Sequence, residues 1–110
     1  MTDGNTDDLR SVRRVVVRGR VQGVGYRAWA EYTALKRGLE GWVRNRSDGS
    51  VEAVYAGPAR VIGGMLEACR HGPPGAWVDV LDHHECIPEE LTLRRPGERF
   101  SVLPNVDSSV

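Results

Sequence analysis

Two helix-periodic segments, each set between β-rich runs and separated by a single Asp-Gly hairpin, leave this chain few ways to fold. Val12 to Arg18 contains the β-branched run Val15-Val16-Val17, the mark of a strand. Ala28 to Arg37 then places Ala28, Tyr32, Leu35 and, just beyond, Leu39 at helical spacing, with Gly38 as the stop. Gly41 to Asn45 and Val51 to Tyr55 flank Arg46-Ser47-Asp48-Gly49-Ser50, and Asp-Gly between apolar runs is among the strongest short-range hairpin signals. Gly57-Pro58 opens a second helix whose buried stripe is Val61, Ile62, Met65, Leu66 and Cys69, ending at Gly72 and weakened by Gly63-Gly64. After the stiff turn Pro73-Pro74-Gly75, Trp77 to His83 alternates as a strand, and Arg99 to Leu103 makes a short last one.

The order β-α-β-β-α-β is that of the ferredoxin-like sandwich, an α+β fold with a mainly antiparallel sheet and two helices on one face. At 110 residues the chain supports one hydrophobic core. The expected organisation is a polar, disordered tail over residues 1–10, a domain over 11–103 and a C-terminal tail over 104–110. Basic and acidic residues both number 15, and without Asp3, Asp7 and Asp8 of the N-terminal stretch the body carries net +3. That balance gives no strong bias toward nucleic acid or membrane. An RNA-binding version of the fold would want exposed aromatics on its central strands, and Val12 to Arg18 offers none. No apolar run approaches a membrane span and no secretion signal opens the chain, so a cytoplasmic location is expected. Cys69 and Cys86 lack a pairing or metal-binding spacing and are read as free thiols; no metal site is expected.

The fold hosts enzymes, binders and sensors alike, so function must come from a site. The candidate is Gly19-Arg20-Val21-Gln22-Gly23-Val24-Gly25-Tyr26-Arg27, between the first strand and the first helix. Glycines let a turn bring backbone N–H groups close to a ligand, and the following helix directs its own free N–H groups and positive dipole end to the same place. Arg27 adds a planar fork able to hold two phosphate oxygens. The loop lacks the Gly-Lys-Ser/Thr ending of a nucleotide P-loop. Gly23, Gly25 and Ala28 fit the loose dinucleotide fingerprint, but the acidic ribose ligand expected roughly 20 residues on is replaced by Asn45 and an antiparallel hairpin. A merely tight strand-to-helix turn competes with an anion seat. Asn45, late in its strand, is by itself more often a residue bonding its own backbone.

The two segments together resemble the signatures of the acylphosphatase family. Gly19 to Arg27 is similar to its first, and Gly41-Trp42-Val43-Arg44-Asn45 followed by Asp48-Gly49 and Val51-Glu52 to its second, in order and at family-like spacing. The resemblance runs from about Val12 to Val102, with Tyr26 where members usually carry Phe and an atypical stretch from His83 to Glu98.

The resemblance implies hydrolysis of acyl phosphates, a small-molecule substrate class, without metal or cofactor. It implies that Arg27 and the backbone N–H groups of Gln22, Gly23, Val24, Gly25, Tyr26 and Arg27 hold the phosphoryl oxygens. Asn45 would then position the attacking water, and no His, Cys or carboxylate takes a chemical role. A monomer without nucleic-acid or membrane partners is expected. Two alternatives stay open at this level. One is a non-catalytic regulatory module of the same fold that binds phosphate-bearing metabolites. The other is a domain of a larger maturation enzyme handling carbamoyl phosphate, an arrangement that brings zinc-binding cysteine pairs absent here.

Overall fold

The computed structural model describes residues 9–107. Five strands and two helices follow in the order β1 (Arg10–Arg20), α1 (Tyr26–Lys36), β2 (Glu40–Asn45), β3 (Val51–Pro58), α2 (Ala59–Cys69), β4 (Trp77–Glu85) and β5 (Phe100–Val102). A 3-10 turn, Pro88–Leu93, lies between the last two strands. The sheet order is β4-β1-β3-β2-β5, antiparallel throughout except for the parallel β2–β5 pair. The ferredoxin-like order is therefore present, with β5 added beside β2.

Register assigns the faces. Val15 and Val17 of β1 stand opposite Ala53 and Val51 of β3, and with Val43 and Tyr55 they meet Ala30 and Ala34 of α1 and Ile62 and Met65 of α2 in one core. The opposite face carries Trp42, Val54 and Leu103, with Leu91 of the 3-10 turn packed on them. The Trp42 indole donates to the Glu90 carbonyl at 2.7 Å, so the His83 to Glu98 stretch partly covers the face that the helices leave open.

The α2 stripe follows the predicted spacing at Ile62, Met65, Leu66 and Cys69, which are buried, while Val61 is half-buried against the same core. That of α1 does not. The helix begins two residues earlier than expected, and its buried positions are Tyr26, Ala30 and Ala34, while Tyr32 and Leu35 are exposed. Two alanines allow α1 to lie close on the sheet, and close approach wins over burying the larger side chains on the flank. Cys69 and Cys86 are free thiols.

At the N-terminal end the described chain begins at Leu9, whose carbonyl accepts from the Ala59 amide at 2.8 Å; residues 1–8 of the expected N-terminal tail lie outside the described residues. Residues 104–107 turn back along the end of β2. The Val106 amide donates to the Asn45 carbonyl, and the Ser47 amide to the Val106 carbonyl, both at 3.0 Å. Residues 108–110 lie outside the described residues.

Candidate active site

The cradle starts where β1 leaves its regular pairing. The β1–β4 register shifts between Arg18 and Gly19. Gly19 has φ +129°, and a Cβ there would stand 2.3 Å from the Trp77 carbonyl oxygen, so the chain can bend here only without a side chain. Val21 is buried and anchors the loop. Gly25, at φ +82°, is the N-cap of α1, and neither a side-chain cap nor a first-turn acid occupies the helix end. The first amides of α1 are thus free of side-chain acceptors, which is the condition for an anion to take their place.

A second set of contacts ties this loop to the hairpin. The Gln22 carboxamide nitrogen donates to the carbonyls of Arg46 and Ser50, each at 2.8 Å. Within the hairpin turn, the Ser50 amide and hydroxyl donate to Asp48 Oδ1 at 2.9 and 2.5 Å, and Arg18 donates to Oδ2 at 3.1 Å. The hydrogen bonds from Ser50, helped by the neighbouring arginines, hold the Asp48 carboxyl well below the usual carboxylate range. The turn is pinned from both sides.

Tyr26 joins the cradle to α2. Its ring lies edge-on to Trp29 at 5.3 Å, and its hydroxyl donates to the Cys69 carbonyl at 2.6 Å. Burial, with the neighbouring Cys69 thiol, pushes the Tyr26 phenol far up, so it remains a neutral donor. Gly72, at φ +66°, makes room for the ring, since a Cβ there would meet Cε2 at 2.6 Å. The Phe-to-Tyr departure from the family pattern thus finds a partner for its extra oxygen.

Asn45 ends β2, and its carboxamide oxygen is buried with no hydrogen-bond partner among the described residues. Leaving such a group unsatisfied costs on the order of 1–3 kcal/mol, which a structure tolerates where the group has work to do. It lines a cleft of about 330 Å³ together with Gly23, Gly25, Tyr26 and Arg27. Arg27, at the start of α1, and Asn45, at the end of β2, thus converge on one space. Of the other cradle residues, Gln22 turns its side chain to the hairpin and Val24 packs toward the core, so neither side chain lines the cleft.

Three side chains here escaped the sequence reading. Asn105 Oδ1 accepts from Arg27 Nη1 at 3.4 Å, bringing the returning chain end onto the guanidinium. Glu31 lines the cleft one turn beyond Arg27, a position that i,i+4 spacing would have revealed. The bracing role of Gln22 depends on the hairpin folding back over the loop, which no local pattern encodes. Among the described residues no group of three or more His, Cys, Asp or Glu is placed to hold a metal ion, and no helix is long and apolar enough to cross a membrane.

An α+β sandwich that gathers an uncapped helix N-terminus, a guanidinium and an unsatisfied carboxamide oxygen around one cleft is of the class able to seat an anion such as a phosphoryl group. The comparisons with known proteins agree and are more specific. The family model described as Acylphosphatase matches residues 13–101. The acylphosphatase of Bradyrhizobium diazoefficiens is 58% identical over 97 residues, covering 88% of this chain and 98% of that protein. That of Rhodopseudomonas palustris strain BisB18 is 59% identical over 95 residues, covering 86% and 96%. The crystal structure of acylphosphatase from Bacillus subtilis aligns with a TM-score of 0.73 at 36% identity, over 86% of this chain and 99% of that one. The chain belongs to the acylphosphatase family, whose reaction is the hydrolysis of acyl phosphates.

Proposed function

We propose that this acylphosphatase binds the phosphoryl group of its substrate between Arg27 and the backbone amides from Gln22 to Arg27, and that Asn45 aims the attacking water. The observation that carries this reading is the orphaned Asn45 carboxamide oxygen, buried on the wall of the cleft that Arg27, Gly23 and Gly25 also line. An oxygen in that position can accept a hydrogen bond from water and fix the direction of its lone pair.

The water oxygen attacks phosphorus as the phosphorus–oxygen bond to the acyl group breaks. The departing carboxylate takes the bonding electron pair, and the proton released by the water ends on the phosphate product. A carboxylic acid has a pKa near ~4, so the carboxylate leaves as an anion and needs no general acid. The residues need only hold the three phosphoryl oxygens and neutralise their charge as the transition state develops. Neither Arg27 nor Asn45 forms a covalent bond to the substrate, and no metal or cofactor takes part. The enzyme works as a cytoplasmic monomer on a small acyl phosphate, with no nucleic-acid or membrane partner. Its zero net charge and the absence of an exposed aromatic platform on β1 support that last statement.

The deciding test is hydrolysis of acetyl phosphate by wild type, Arg27→Ala and Asn45→Ala, with and without a chelator. Both variants should lose on the order of 100- to 1000-fold in kcat, the usual cost of removing a preorganised transition-state donor. Wild-type activity should survive chelation. An Asn45→Ala enzyme that keeps most of its rate would show that the water is positioned by something else.

A further inference from the structure

The cleft contains a charge that this mechanism leaves unused. Glu31 lines it, with Ala28 and Val102 as well as Gly23, Gly25 and Arg27. No hydrogen bond or ion pair engages its carboxylate among the described residues. Arg27, the i−4 neighbour with which it could pair on the helix surface, donates to Asn105 instead. An α-helix rises about 1.5 Å per residue, so Glu31 stands roughly 6 Å further along α1 than Arg27. A phosphoryl group at the helix N-terminus leaves Ala28, Glu31 and Val102 as the part of the lining that can meet the acyl group.

Resting on the phosphoryl assignment above, we propose that Glu31 sets acyl preference by charge: it favours acyl phosphates whose acyl chain carries an ammonium group and disfavours those carrying a second anion. At the phosphoryl end, Arg27 and the helix dipole are closer to the substrate than Glu31 and dominate. Toward the acyl group Glu31 becomes the nearer charge, because Arg27, engaged with the phosphoryl group, is the only other ionised residue lining the cleft among the described residues. An uncharged acyl group feels little of this field. An ammonium is drawn to it, and a carboxylate or second phosphate is repelled.

The test compares kcat/KM for acetyl phosphate, succinyl phosphate and β-alanyl phosphate, whose acyl groups are neutral, anionic and cationic, in wild type, Glu31→Gln and Glu31→Lys. Far-UV circular dichroism checks that each variant is folded. Wild type should prefer the cationic to the anionic substrate by on the order of tenfold at low salt, a margin that shrinks as salt screens it. Glu31→Gln should compress the ratio to within about threefold, and Glu31→Lys should invert it. A Glu31→Gln ratio equal to that of wild type overturns the proposal, as does a folded Glu31→Gln enzyme that loses acetyl phosphate turnover along with the rest. A wild type active on all three without charge order overturns it and leaves the hydrolysis reading standing. A wild type inactive on all three overturns both.

Discussion

Arg27 and Asn45 differ in what could replace them. The guanidinium presents two parallel N–H donors to two oxygens, whereas a lysine ammonium is a single point of charge on a flexible stem. Arg27→Lys should therefore lose on the order of 100-fold in kcat despite keeping its charge, measured by steady-state hydrolysis of acetyl phosphate. In the proposed site Asn105 bonds to Arg27, and on that reading it is a positioning residue that acts on the reaction through the guanidinium. Its hydrogen bond from the charged guanidinium is long, at 3.4 Å, and exposed to water, which holds its worth to about 1 kcal/mol, so Asn105→Ala should raise KM about two- to fivefold with kcat nearly kept. An equal fall in kcat would instead mean that Asn105 touches the transition state. Arg27 and Asn45 stood out in the sequence through the resemblance of their two segments to the family signatures, since Asn45 alone reads as a strand-end residue bonding its own backbone. Asn105, in Pro104-Asn105-Val106, did not, because it reaches Arg27 only after the chain has crossed the sheet and returned.

At the scale of elements, the strand-to-helix turn separates two kinds of glycine. A Cβ on Gly25 would meet nothing within 4 Å, so Gly25→Ala suffers only the left-handed backbone conformation at φ +82°. That costs about 1–2 kcal/mol. Since the cap residue sets the direction of the first helical amides, activity should fall by more than the lost stability accounts for. Gly19→Ala faces a clash with the β4 backbone as well as a positive φ, so its loss of stability should exceed that of Gly25→Ala. Urea denaturation of the two variants, beside their kinetics, checks both orders. Type and order of the elements were readable from period and turn chemistry, but the face of α1 was not. Apolar spacing favoured Tyr32 and Leu35, and it cannot register that Ala30 and Ala34 gain more by letting two backbones approach.

For the molecule as a whole, the helix-covered face was the legible one. The other is closed by a 3-10 turn in a proline- and charge-rich stretch without period, and by a buried charge cluster that no local pattern announces. Glu52, almost fully buried on β3, lies between Arg14 of β1 and Arg44 of β2. Arg14 donates to its Oε2, Arg44 donates to its Oε1 at 2.8 Å, and Arg44 also stacks over Trp42 at 4.6 Å. Burial pushes the Glu52 carboxyl up, but the hydrogen bonds and charges of Arg44 and Arg14 outweigh it and leave the group below its ordinary value of 4.5. Because the folded pKa is the lower one, the cluster's contribution is fully present above about pH 4.5 and is lost as pH falls through the folded value. Glu52→Gln strands two guanidinium groups that are partly open to solvent, which softens the usual penalty for breaking a buried pair. A loss of about 2–3 kcal/mol at pH 7 is expected. The variant has no carboxylate left to protonate at this position, so its stability should fall less than that of wild type on acidification, and the two urea-denaturation curves should draw together toward pH 3. Curves that stay parallel over that interval would mean that Glu52 does not hold the three central strands through its charge.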